Sequence, residues 1–381
     1  MLLAGEYIAL AAARSLTAAG VPVHAVGHRD DPLRHSRCRE EFVPIAERSE
    51  LSERAMEWLS ERGPRGAVVI PCDDEGLELV ARNRARLEEL GYVPIEADDG
   101  VILAMLDKQR TYELAREIGV GAPRTTVVRS REEAEAAAAE VGFPCALKPL
   151  TAHSWHRHFP LFTKALVVDD EAGLDRAVAR VLPLGVEVMV TELIPGEDSR
   201  YCSYYGYLDA DGKSLVRVTK RKLRQYPPGF GLGTFHLTDW NPEVAEEGLR
   251  LFRGIGLRGL ACVEFKRDSR DEQLKLIEVN HRLTGATEQL RVAGADLPLF
   301  VYNRLAGIEQ APLNSYRRNV SLWSPLPDAR AFLGYRRRGQ LGLWGWARTL
   351  LRRHHFTIFQ WSDPLPTLVR VARKLRRRLP A

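Results

Sequence analysis

The first hundred residues alternate short apolar runs with helix-like segments. Ile8–Leu16 repeats apolar residues at helical spacing and stops before Gly20. Val21–Val26 and Ala67–Pro71 are compact apolar runs of the kind that form buried strands. The second is followed by Cys72-Asp73-Asp74-Glu75 and a helix reaching about Leu90. This alternation predicts a parallel sheet with ligand-facing loops at its strand ends. Gly5 precedes a helix as a phosphate loop would. No GxGxxG accompanies it, so a dinucleotide site is disfavoured.

Beyond this stretch the pattern becomes α+β. Lys108–Ile118 reads as a helix closed by Gly119, and Glu132–Val141 as an Ala/Glu-rich helix. Between them and the next helix, Pro144-Cys145-Ala146-Leu147-Lys148-Pro149 reads as a strand stopped by proline. From about 187 to 310 strands dominate, with helices near Pro242–Ile255 and Pro298–Gly307. Four units are expected: an α/β domain over 1–105, an α+β subdomain over 106–186, a strand-rich subdomain over 187–312, and an appendage over 313–381. The appendage sets Trp323, Trp344, Trp346 and Trp361 among basic residues.

Composition adds limits. The 381 residues are 45% hydrophobic and 28% charged, ordinary for a soluble chain with a real core. No apolar run approaches the ~18 residues that span a bilayer. The first residues lack a basic region and a cleavage pattern, so no signal peptide is expected. Five scattered cysteines with no CxxC pair point to free thiols in a reducing cytosol, and zinc spacing is lacking. The net charge of +5 is uneven: Tyr335–Ala381 holds twelve Lys/Arg against one acid, Asp363, leaving −6 on the rest.

The sharpest chemistry lies in an expected hairpin. In Leu260–Lys266, strand alternation puts Cys262, Glu264 and Lys266 on one face. After a polar turn, Leu274–Asn280 alternates again, with Glu278 and Asn280 together. Folding about residue 271 sets Glu264 opposite Glu278. Opposed carboxylates repel, and a divalent cation between them resolves the conflict. Two carboxylates and an amide oxygen are hard donors suited to Mg²⁺, with Mn²⁺ as a second ion, and phosphates completing the shell. A solvated hairpin edge is the alternative. Asn280-His281-Arg282 argues against it, since an amide and a guanidinium beside two acids suit a phosphate site.

Several segments, in order, carry a resemblance. Glu264 with Phe265–Arg282 resembles the metal hairpin of the ATP-grasp superfamily. Leu106-Asp107-Lys108 resembles the opening that carries that family's first ATP lysine. Pro144–Pro149 resembles the strand carrying the second, Lys148. Val190–Asp198 resembles the hinge that holds adenine and ribose. Arg221–Gly229 and Asp363-Pro364-Leu365-Pro366 resemble a carboxylate–amine ligase branch. The resemblance implies an ATP-grasp fold with an N-terminal pre-ATP-grasp domain, ATP and Mg²⁺ as cofactors, and ADP-forming ligation through an acyl phosphate. It implies Lys108 and Lys148 at the phosphates, Glu192 and Ile194 at the adenine edge, and Asp198 at the ribose, with Glu197 its possible replacement. Arg221, Lys222 and Arg224 would clamp phosphate or a substrate carboxylate, and Arg282 would serve as the catalytic cation. A departure is the expected flap, Thr151–His158, which has three histidines and no glycine. Ser154 and cationic side chains are expected to cover the phosphates there. Asp73, Asp74 and Leu283–Glu288 are expected near the substrates.

The expected partners are a small carboxylate and a small amine. Leu341–Arg353 and Leu368–Arg378 are amphipathic and basic, which suits peripheral contact with anionic lipid at a cytoplasmic membrane face. The alternative is that their apolar stripes pack on the body. No motif that reads RNA or DNA accompanies them, so no specific nucleic acid is expected. A rival function is a non-ligating phosphotransferase or a nucleotide-binding module.

Overall fold

A computed structural model describes residues 1–160 and 163–376. Strands β1 (Leu2–Leu3), β2 (His24–His28), β3 (Glu41–Ile45), β4 (Val68–Pro71) and β5 (Val93–Pro94) form a parallel sheet in the order β3-β2-β1-β4-β5. Helices α1 (Glu6–Ala18), α2 (Leu51–Glu61) and α3 (Asp74–Glu89) lie in its crossovers. The strand order reverses between β1 and β4, so the loops after these two strands open into one crevice. Gly5 is required there: its φ is 92°, and a Cβ would lie 2.2 Å from Cys72 Cβ. Its N–H donates to Asp73 Oδ2 at 3.2 Å, so an acid rather than a phosphate takes that amide.

Helices α4 (Asp99–Leu106) and α5 (Lys108–Glu117) lead to a second, antiparallel sheet. It comprises β6 (Thr125–Val128), β7 (Cys145–Pro149), β8 (Leu166–Val168) and β9 (Val188–Glu192), in the order β6-β9-β7-β8. Helices α6 (Arg131–Val141) and α8 (Glu171–Val181) bury Ala134, Ala138 and Val178 against its Leu147, Val188 and Val190. The short α7 (Ala152–His156) lies in the β7–β8 connection. The expected boundary at 186 therefore moves past β9. That strand fills the small core instead of opening the large one.

The third sheet contains β10 (Tyr201–Leu208), β11 (Ser214–Tyr226), β12 (Leu232–Asp239), β13 (Gly259–Arg267), β14 (Leu274–Asn280), β15 (Ser321–Trp323) and β16 (His354–His355). Its order is β14-β13-β10-β11-β12-β15-β16. Helix α9 (Pro242–Gly254) covers one face, where Gly248 admits the Tyr204 ring. Helices α10 (Thr287–Ala293) and α11 (Leu297–Leu305) join this body to α1. Helices α12 (Pro325–Arg337), α13 (Leu343–Leu350) and α14 (Leu365–Arg376) complete the chain.

The region after 313 is more than an appendage. β15 and β16 extend the large sheet, and Asp363 is buried against Arg14 at 2.9 Å and Ser36 at 2.7 Å. Arg377 and Arg378, the end of the expected basic run, lie outside the described residues.

β11 departs from regular pairing between Lys222 and Gln225. This irregularity turns Arg224 away from the face that Lys222 and Gln225 share. Its buried guanidinium meets Asp328 at 2.8 and 2.9 Å and stacks over Phe235 at 4.5 Å. Arg224, expected as a clamp for phosphate or substrate, instead ties β11 to α12. Removing one partner leaves a buried charge uncompensated. Asp328→Ala is expected to cost about 3–5 kcal/mol, read as a lower urea midpoint. Replacing the pair together, Arg224→Met with Asp328→Leu, is expected to recover most of that loss.

Candidate functional site

The β13–β14 hairpin pairs as expected from Cys262 to Glu264 and then shifts register by one residue before Phe265, so that Leu276 and Val279 share a face. Glu264 is the cross-strand partner of Glu278, and Cys262 of Asn280. Val263, Phe265, Leu276 and Val279 point the other way and are buried in the core under α9. That apolar face fixes the acids on the opposite one, which looks toward the small sheet. Asn280 and Glu278 line a small recess with Lys108 and Asp74.

Between the two antiparallel sheets lies a cleft with about 960 Å³ of unfilled space, part of it open to solvent. It gathers Lys108, Lys148, Glu192, Ile194, Lys222, Glu264 and Glu278 with Tyr112, Lys164, Leu193 and Gln225. Asp107 caps α5 by accepting from Arg110 N, which sets Lys108 in the first turn. Lys108 Nζ donates to Leu150 O at 3.4 Å. On β7, Lys148 Nζ donates to Tyr112 Oη at 2.8 Å, and that hydroxyl donates to Ile277 O at 2.8 Å. Lys222 Nζ lies 3.0 Å from Glu264 Oε1 and 4.0 Å above the Tyr201 ring. Lys164, in the β7–β8 connection, lies 3.8 Å from Glu278 Oε2.

These neighbours set the charges. Burial by itself raises the pKa of Glu278, but Lys164, Lys108, Lys148 and Arg282 outweigh it and hold the carboxyl at about 2. Burial likewise opposes ionisation of Glu264, and Lys222, Lys164 and Lys220 reverse the direction. Burial pushes Lys148 down to about 8, with Glu278 opposing. Four lysines thus face two ionised acids in one cleft. The surplus of positive charge fits a polyphosphate that brings a divalent ion. Among the described residues no group of three or more His, Cys, Asp or Glu could hold a metal by itself. Two carboxylates and the Asn280 amide fit Mg²⁺ only as a partial shell that phosphate oxygens and water complete.

The hinge is partly committed. Glu192 N–H donates to Arg124 O at 2.9 Å, and Ile194 O accepts from Lys266 Nζ at 2.7 Å. A base edge placed here would be left with the Glu192 carbonyl and the Ile194 N–H. The Glu192 side chain is held by Arg270 at 2.7 Å and by Arg124 N at 3.1 Å.

Asp198 is not brought to the cleft. Its buried carboxylate accepts from Gln225 Nε2 at 2.7 Å, Gly229 N at 2.8 Å and Tyr335 Oη at 2.5 Å. The expected ribose ligand instead braces the bend after β11, and Gln225 takes the lining position. Its neighbour Glu197 accepts from Ser199 at the surface. Arg282 stays close to Glu278 and Asn280, held by Asp74 of the recess that those two residues line. Its Nε donates to Asp74 Oδ1 at 2.6 Å, joining the hairpin to the N-terminal body while its charge still acts on Glu278. Arg221 lies 3.8 Å from Asp239, outside the cleft. Asp73 caps α3 by accepting from Gly76 N at 2.8 Å.

The histidine-rich segment is a short helix rather than an open loop. Trp155 is buried, stacks on Phe159 at 4.0 Å and donates to Thr163 O at 2.7 Å. Ser154 Oγ donates to Thr151 O at 3.0 Å, and His156 lines the cleft. Of the residues not foreseen, Tyr112 was accessible, since it lies four positions after Lys108 on one helix face. Lys164 had no sequence signal, being a lone loop lysine. Gln225 reaches the cleft only through the irregularity in β11.

No family model matches the chain. The D-aspartate ligase of Enterococcus faecium (strain Aus0004) is 25% identical over 285 residues, covering 72% of this chain and 67% of that protein. The D-alanine–D-alanine ligase of Ectopseudomonas mendocina (strain ymp) is 28% identical over 230 residues, covering 54% and 66%. Among solved structures, the biotin carboxylase domain of the Hydrogenobacter thermophilus 2-oxoglutarate carboxylase, complexed with MgADP, ADP and bicarbonate, matches with a TM-score of 0.65. The identity is 19%, over 84% of this chain and 72% of that one. An ADP complex of N5-carboxyaminoimidazole ribonucleotide synthetase matches with a TM-score of 0.63 at 14% identity, over 84% and 79%. The structural matches establish the fold. The sequence relatives and the lysine-and-acid cleft between the small and large sheets agree with that fold, which is similar to that of the ATP-grasp superfamily.

Proposed function

We propose that the protein is an ADP-forming carboxylate–amine ligase with a small carboxylate and a small amine as substrates. The observation that carries this reading is the opposed pair Glu264 and Glu278 facing Lys108, Lys148, Lys164 and Lys222 in one cleft. The relatives named as D-aspartate and D-alanine–D-alanine ligases support the C–N bond as the product. Mg²⁺, or Mn²⁺ with the same preference for oxygen donors, would be held by Glu264, Glu278 and Asn280 and would neutralise phosphate charge.

The chemistry balances without a nucleophile from the chain. A substrate carboxylate oxygen attacks the γ-phosphorus of ATP, the bond to the β-phosphate oxygen breaks, and ADP departs with its electron pair. The amine nitrogen then attacks the acyl carbon. The C–N bond forms, the C–O bond to phosphate breaks, and the amine proton passes to solvent. The lysines bind and orient the phosphates and offset the developing charge.

In a screen of carboxylates and amines, the complete mixture is expected to release ADP, and hydroxylamine in place of the amine is expected to give a hydroxamate. Glu278→Ala is expected to lower ADP release by about 100-fold or more. ADP release with one substrate and no hydroxamate identifies a phosphotransferase instead. Lys148 supplies a pH signature. It is protonated below its free value of about 8, and a bound polyphosphate raises that value further. Affinity for ATP is therefore expected to be flat below about pH 7 and to fall as pH rises past 8, with proton uptake on binding. Calorimetric titration at several pH values tests this, and Lys148→Arg is expected to remove the decline.

The C-terminal surface supports a further partner, an anionic bilayer. No helix among the described residues is long and apolar enough to cross a membrane. Trp344 and Leu351 on and beside α13 are 81% and 88% exposed, and Trp361 is 88% exposed. Helix α14 docks on the N-terminal body through Pro366 and Val369, and Arg373 donates to Asp30 at 2.9 Å. Leu365, Leu368, Val371 and Leu375 stay exposed on the other side. Arginines beside both stripes, with the region's single acid Asp363 buried against Arg14, suit contact with anionic headgroups. Sedimentation with phosphatidylglycerol-rich vesicles is expected to carry down the full chain at low salt. Leu351→Glu with Leu368→Glu is expected to abolish this, and equal sedimentation of that variant overturns the proposal.

A further inference from the structure

The four cleft lysines are held differently. Lys108 and Lys148 sit on regular elements and donate to Leu150 O and Tyr112 Oη. Lys222 is only 6% exposed and is fixed between Glu264, Gln225 and the Tyr201 ring. Lys164 differs on each count. Its side chain is 39% exposed, it comes from the β7–β8 connection, and its one ion-pair partner among the described residues is Glu278, at 3.8 Å. The preceding residue is anchored, because Thr163 O accepts from the buried Trp155 indole at 2.7 Å. A long flexible side chain thus starts from a fixed point at the mouth of the cleft.

A metal on Glu278 competes with this exposed and loosely held partner. An ammonium and a divalent cation on one carboxylate repel each other, and the stronger field belongs to the divalent ion. A lysine displaced from Glu278 remains beside the other anion that enters the cleft. We propose that Lys164 is an exchanging charge: it neutralises Glu278 in the free protein and binds the terminal phosphoryl group of a nucleoside triphosphate once a divalent ion occupies Glu278. It would do so from the β7–β8 connection, whose residues 150–165 include no glycine. The proposal rests on the ATP-dependent reading of this cleft.

Two binding measurements of opposite sign test it. Lys164→Met keeps the length of the side chain and removes the charge, and Lys164→Arg keeps the charge. By calorimetry, Mg²⁺ alone is expected to bind Lys164→Met several-fold more tightly than the parent, since a competitor for Glu278 is gone. Mg²⁺ with β,γ-imido-ATP is expected to bind it about 10-fold or more weakly. Mg-ADP, which lacks the terminal group but uses the same metal site, is expected to bind it at least as tightly as the parent. Lys164→Arg is expected to retain most triphosphate affinity. Equal weakening of diphosphate and triphosphate, or unchanged Mg²⁺ affinity, overturns the exchange. A parent protein that binds neither nucleotide overturns the ATP reading itself and the proposal with it, which separates the two failures.

Discussion

Two carboxylates are forced to face each other across a strand pair, and the surrounding site follows from that. Glu264 and Glu278 oppose because Val263, Phe265, Leu276 and Val279 must point into the core beneath α9. The apolar side of the hairpin leaves the acids no other face. Burial and mutual repulsion would drive both toward the neutral form. They stay ionised because Lys108, Lys148, Lys164 and Lys222 converge from α5, β7, the β7–β8 connection and β11. Four separate parts of the chain must therefore pack correctly against the hairpin before the acids can remain charged.

The supporting framework uses the same kind of chemistry for structure. Arg224 and Asp328 lock β11 to α12, while Asp198 collects Gln225, Gly229 and Tyr335 to hold the bend that follows β11. Arg282 and Asp74 tie the β13–β14 hairpin to the N-terminal body. Each of these groups is a credible phosphate or substrate ligand by residue type. Each instead has a hydrogen-bonded partner distant in sequence. Lys222 spans both roles, since it pairs with Glu264 and still lines the open space.

The C-terminal region separates docking from exposure. Its strands complete the large sheet, and its acid is consumed in a buried pair with Arg14. What remains outside is apolar and basic. The same helix that buries Pro366 and half-buries Val369 exposes Leu368 and Leu375. One docked seam does not use up an amphipathic helix whose apolar residues occupy more than that seam.

The sequence by itself determined the parallel N-terminal sheet and the facing of Glu264 and Glu278. Both depend on local periodicity, because apolar alternation decides which face is buried. Resemblance of the segments around them singled out Lys108 and Lys148, and both line the cleft. Tertiary structure alone decided the fates of Asp198, Arg224 and Arg282. Their partners lie 27 to 208 positions away, and an irregularity within β11 reversed the alternation that would have grouped Arg224 with Lys222. It also decided that β9 closes the small sheet and that Lys164 enters the cleft. Periodicity reports which way a side chain faces within its own element. Whether that face meets a partner, a core or open space depends on how the elements pack.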